Sequence, residues 1–111
     1  MAAGTYNFIL EQGATFTRTL TVQENNSAMN LTGYSVASKM RSTHDSSTVV
    51  GTFTCTISNA SGGVIVMNMT SSITGAIEEA IYVYDLEIAS GSGTVTRLLE
   101  GEVTVNPEVT R

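Results

Sequence analysis

Apolar and polar residues alternate with a period of two along most of the chain, the signature of strands with one buried and one exposed face. In "ATFTRTLTV", Phe16, Leu20 and Val22 share one parity, while Thr15, Thr17, Thr19 and Thr21 share the other. Arg18 breaks the apolar parity, which places it at a wetter strand end or beside a bulge. In "YSVASKMR", Val36, Ser38 and Met40 oppose Ala37, Lys39 and Arg41, and the charged side is expected to face solvent. The same reading turns Phe53, Cys55 and Ile57 inward, then Ile65, Met67 and Met69, then Tyr82, Tyr84, Leu86 and Ile88. In the closing segment Val95, Leu99, Val103 and Val105 share a parity. Gly101 between them predicts a bulge or bend that divides this segment into two strands.

The breaks between these runs carry turn chemistry. "EQG" offers Gly13 for a positive φ, "LTGY" offers Gly33, and "SNASGG" and "SGSG" read as tight turns. "QENNSAMN" reads as a polar, hairpin-like loop. Alternation fails over "TSSITGAIEEA", where Thr70 or Ser71 can cap a short helical turn near residues 71–77. No strand–helix–strand alternation suggests a parallel sheet. The expected fold is therefore all-β: an immunoglobulin-like antiparallel β-sandwich of about seven or eight strands in a single domain, 1–111. It lacks the Trp and Cys pair of antibody-type domains. Two edges are candidates for pairing with a neighbour, "TYNFIL" and the closing Thr/Val segment, the latter partly blunted by Glu100, Glu102 and Pro107. Pro107 cannot donate a ladder bond, so pairing is expected to weaken there and leave Glu108 to Arg111 available for a neighbour.

Composition narrows the function. A length of 111 residues suits one domain, and 41% apolar with 14% charged residues supports a buried core. The net charge of −5, with no Lys/Arg cluster, disfavours nucleic acid as a partner. No run approaches a membrane span and "MAAGTYNFIL" lacks the marks of a secretion signal, so the reading is a protein made in a cytoplasm without a membrane partner. Without such a signal, the Asn-x-Ser/Thr triplets at Asn25, Asn30, Asn59 and Asn68 have no glycosylation reading. Cys55 is the only cysteine, so no internal disulfide and no cysteine-based zinc site is expected.

The candidate chemistry is thin. His44 is the only histidine and is followed by Asp45, but neighbours on a polar loop do not by themselves orient one another as base and carboxylate. Asp85 and Glu87 share a strand face about 7 Å apart, a spacing open to cation binding or acid/base work and equally common on a solvated strand. Glu78 and Glu79 add carboxylates without a calcium-loop pattern. "SGSGT" lies between strands and lacks the P-loop lysine. Tyr82 and Tyr84 read as core, as do the methionines and Cys55, with a sugar-stacking role for Tyr6, Tyr34 or Tyr82 as the rival. No catalytic, cofactor-binding or metal-binding residue is assigned, and no enzymatic activity or cofactor is expected.

The succession "EQGATFTRTLTV", "NLTGYSVASKMR", "YVYDLEI" and "GTVTRLLEGEVTVNPEVTR" resembles small proteins of tailed bacteriophages. These include the N-terminal domain of siphophage upper baseplate proteins and related short proteins of myophages and cyanophages. The most specific parts are "LTGY", "YDLEI" and "LLEGEVTVNPEVTR". The resemblance implies an immunoglobulin-like sandwich used in virion assembly. It implies a non-enzymatic baseplate or tail adaptor located in the virion, with other virion proteins (baseplate, tail or capsid subunits) as partners, in multiple copies within a symmetric assembly. The alternatives are a capsid decoration protein and a carbohydrate-binding host-attachment module.

Overall fold

The computed structural model describes residues 4–24 and 26–109. They form ten strands and one helical turn: β1 (Gly4–Thr5), β2 (Phe8–Glu11), β3 (Phe16–Thr21), β4 (Gln23–Glu24), β5 (Ser27–Ala28), β6 (Ser35–Arg41), β7 (Gly51–Asn59), β8 (Val64–Met69), α1 (Ser71–Thr74), β9 (Ala80–Ala89) and β10 (Val95–Asn106). Eight strands make one curled mixed sheet, ordered β1-β10-β9-β6-β7-β8-β3, with β2 also on β10; β4 and β5 form a separate hairpin. The protein is thus mostly β with one short helical turn, as the alternation and its failure after Thr70 predict.

The sheet curls at β7. Its first residues, Gly51 to Phe53, pair with Met40 to Ser38 of β6, and from Thr54 onward it pairs with β8 instead. One strand therefore serves both halves of a half-barrel. The concave side collects the apolar parities: Phe8 and Leu10 of β2, Phe16 of β3, Met40 of β6, Phe53 of β7, Ile65, Met67 and Met69 of β8, Tyr82 to Ile88 of β9, and Val103 and Val105 of β10. Phe8 is the hub, with ring centroids 5.3 Å from Phe16 and 4.7 Å from Tyr84.

Turn chemistry follows the sequence. Gly13, Gly33 and Gly93 take φ of 83°, 82° and 95°, and Asn26, between β4 and β5, takes 66°. Thr70 precedes α1 but makes no side-chain cap bond. Thr74 instead fastens the turn, its hydroxyl donating to the Ala14 carbonyl at 2.8 Å.

Two expectations fail. The sheet is not purely antiparallel, because β1 and β2 run parallel to β10. That pairing joins the two ends of the chain, and no local sequence period signals it. The closing segment is also one unbroken strand from Val95 to Asn106, not two divided at Gly101. Its irregularity falls between Arg97 and Leu99, where Leu98 is inserted and buried at 8% exposure, while Val95 stands 59% exposed. The parity therefore shifts at Leu98, and Val95 does not belong to the buried side.

Gly101 has another task. A Cβ there would collide with the Tyr6 carbonyl and approach Asn7 Oδ1 to 2.8 Å. The gap between β1 and β2 crosses β10 at this point, with Tyr6 N–H donating to Glu100 O and Glu102 N–H donating to Asn7 Oδ1, both at 3.0 Å. Tyr84, opposite Gly101, donates its hydroxyl to the same Tyr6 carbonyl at 2.5 Å.

Candidate functional site

Pairing decides which backbone is open. From Leu99 to Asn106, β10 is flanked by β9 on one side and by β1 and β2 on the other, so most of the closing segment is interior; among the described residues, Val95 to Arg97 pair with β9 alone. Pairing does stop at Pro107, but Glu108 is held, its N–H donating to Gln12 Oε1 at 3.0 Å. Thr110 and Arg111 lie outside the described residues. The true edges are β1 with β2, as expected for "TYNFIL", and β3, which the sequence did not single out.

β3 pairs only with β8, in an unbroken register from Phe16 opposite Met69 to Thr21 opposite Val64. Val22 continues that side, donating its N–H to Gly63 O at 2.7 Å. Two-residue alternation then turns the N–H and C=O of Leu20, Arg18 and Phe16 toward β8, and those of Thr17, Thr19 and Thr21 toward the open side. Among the described residues, no backbone bond satisfies that open side.

An edge strand is commonly protected by a proline, a bulge or an outward charge. β3 has neither proline nor bulge, and its one charge is folded away. Arg18 sits on the inward parity and lays its guanidinium over the Tyr6, Phe8 and Phe16 rings, 5.5 to 5.7 Å from their centroids. Its Nη1 reaches the Tyr6 hydroxyl at 3.3 Å. The break in apolar parity is thus neither a wet end nor a bulge. Arg18 is a cation–π lid across the seam between the two sheet edges, and it carries its stem over apolar surface.

A second feature lies on the convex face of β6, β9 and β10, an open cleft of about 390 Å³. Lys39, Arg41, His44 and Arg97 line it together with Asp85, Glu87 and Glu100. Three of the chain's five Lys and Arg residues therefore gather here. Arg97 Nε lies 3.3 Å from Asp85 Oδ2. Arg41 Nη1 donates to Ser46 O at 3.2 Å and so ties the loop bearing His44 to the end of β6. Farther along the same face, Ile9 and Ile81 flank Thr104 in register, 58% and 61% exposed.

The single-residue candidates disperse. His44 and Asp45 are both exposed on the 42–50 loop, and no hydrogen bond joins them among the described residues. His44 comes instead to the rim of the cleft holding Asp85 and Glu87. Glu78 and Glu79 lie at the opposite end of β9, beside Gln12, Gly75, Pro107 and Glu108. Tyr82 is 8% exposed and donates its hydroxyl to Glu78 O at 2.7 Å, which turns its ring away from any sugar. Tyr6 is 40% exposed, but Arg18 is stacked on its ring. Burial pushes the Cys55 thiol up to about 11, so it is protonated and unreactive at neutral pH. No group of three or more His, Cys, Asp or Glu that could hold a metal ion occurs among the described residues.

The convex cleft was readable in part, since the Lys39 and Arg41 parity was expected outward. What joins them to Arg97 and Glu100 is strand order, which the alternation does not encode. A scan against protein-family models and a search of curated proteins return no match.

Proposed function

We propose that this chain is a non-enzymatic structural protein of a tailed-phage virion, a baseplate or tail adaptor that docks neighbouring subunits or fibres. The observation that carries the reading is β3, an unprotected six-residue edge whose outward peptide groups have no backbone partner among the described residues. A strand added there gains main-chain hydrogen bonds along its length, the common mode of sheet augmentation between proteins. Small contacts of this kind are multiplied in a symmetric assembly, which suits a subunit present in many copies.

We read the half-barrel as an immunoglobulin-like sandwich opened along one side, with β1, β2, β10, β9 and β6 as one layer and β3, β8 and most of β7 as the other. The layers are joined through β7 and by the turn between β2 and β3, across which Phe8 and Phe16 pack. The sequence resemblance to small tail and baseplate proteins of tailed phages supports the same reading.

Mass spectrometry of purified particles tests it. The chain should be present at a fixed multiple of the tail or baseplate proteins and should stay with tails after they are separated from heads. Absence from mature particles contradicts the proposal, and recovery with heads alone moves the protein to capsid decoration.

A further inference from the structure

The threonines of β3 are symmetric about Thr19. Thr17, Thr19 and Thr21 alternate on the outward face and are the residues whose N–H and C=O point to the open side. We propose that this edge pairs antiparallel with the β3 edge of a second copy of the chain, centred on Thr19. The inference rests on the reading of β3 as the docking edge and names its occupant.

In that register Thr19 faces Thr19 of the second copy, and each Thr17 faces a Thr21. All three are pairs whose backbone groups point at one another, so about six N–H···O=C bonds form across the two-fold axis. Threonine facing threonine is a favourable cross-strand pair. Arg18 lies beside Leu20 of the second copy, and Phe16 beside Val22, extending each apolar side. The neighbouring register, centred on Arg18, sets two guanidinium groups opposite one another, which like-charge repulsion disfavours.

Charge also points to a second copy. The chain carries −5 overall, yet β3 contains none of its ten Asp and Glu residues, so two acidic copies can meet along this edge without opposing carboxylates. The remaining repulsion between copies is long-range and screened by salt, so pairing strengthens as ionic strength rises.

Sedimentation of the purified chain over a concentration series, with amide exchange at each concentration, tests the pairing. The expected result is a dimer at high concentration, with the Thr17, Thr19 and Thr21 amides becoming protected as it forms. The Arg18 and Leu20 amides, bonded to β8, should be protected throughout. Thr19→Lys places two ammonium groups face to face on an exposed position and should raise the dissociation constant at least about tenfold, with the circular dichroism spectrum unchanged. A wild-type chain that stays monomeric with these three amides unprotected overturns the inference, as does a Thr19→Lys variant that dimerises normally. Protection that arises only when other particle proteins are added overturns the second copy as occupant while leaving β3 as a docking edge. Normal incorporation of Thr19→Lys into particles removes the docking edge itself.

Discussion

Gly101 and Tyr84 hold the amino-terminal segment from opposite sides. Gly101 gives the Tyr6 carbonyl room and Tyr84 supplies its hydrogen bond. The obstacle to a Cβ at position 101 is backbone, which cannot rotate aside, so Gly101→Ala should destabilise by about 1–3 kcal/mol. Thermal unfolding would measure it, and exchange should rise first at the β1 and β2 amides. Tyr84→Phe removes the donor and should cost about 1 kcal/mol at neutral pH. The same residue shapes alkaline behaviour. Burial raises the Tyr84 hydroxyl above its ordinary 10.0, and raises Tyr82 with help from Glu78, while Cys55 moves from 9.0 to about 11. Below pH 9 these groups are protonated in folded and unfolded chains alike, and their contribution is fully present. Above it the unfolded chain releases protons that the folded chain retains, so stability falls as pH rises through the folded values. Melting temperature should therefore decline steadily between pH 9 and 11, and Tyr84→Phe should decline less steeply above pH 10.

At the scale of elements, the alternation shows the individual strands but not which distant strand lies beside each, as with β3 on β8 and β6 on β9. β9 shows Tyr82, Tyr84, Leu86 and Ile88 buried in strict alternation, because one face meets the core and the other meets solvent. The turn at Gly93 and the helical turn after Thr70 were legible for a similar reason: their chemistry is local. β10 was misread because its alternation is reset at Leu98, and because Gly101 answers to Tyr6, about a whole chain length away in sequence. The edge position of β3 is not legible, since an edge is defined by which strand is absent beside it, and Thr/Val alternation looks alike at an edge and in an interior. Arg18 was noticed as an anomaly, but its aromatic partners come from β2 as well as β3. One consequence concerns the terminus. β10 ends at Asn106, so a chain ending at Pro107 should keep its fold while losing the Glu108 contact with Gln12, lowering the melting temperature by a few degrees for a loss of about 1 kcal/mol. Circular dichroism through the melt would check this, and outright unfolding would make the last residues part of the core.

Over the whole molecule, the charged cleft and the open β3 edge lie on different parts of the surface. The convex cleft holds most of the Lys and Arg, but its Arg97–Asp85 ion pair is exposed at 52% and 37% and contributes little to stability. Arg97→Ala should therefore shift unfolding by less than about 1 kcal/mol, as denaturant titration would show. The open side of β3, by contrast, presents the N–H and C=O groups of Thr17, Thr19 and Thr21 with no backbone partner among the described residues. The measurement that bears most directly on the docking claim is an electron cryomicroscopy map of the intact particle. The expected map shows this fold within the tail or baseplate, repeated by symmetry, with another strand paired along Thr17, Thr19 and Thr21. A map in which the chain is absent, or in which that edge faces solvent in every copy, would contradict it.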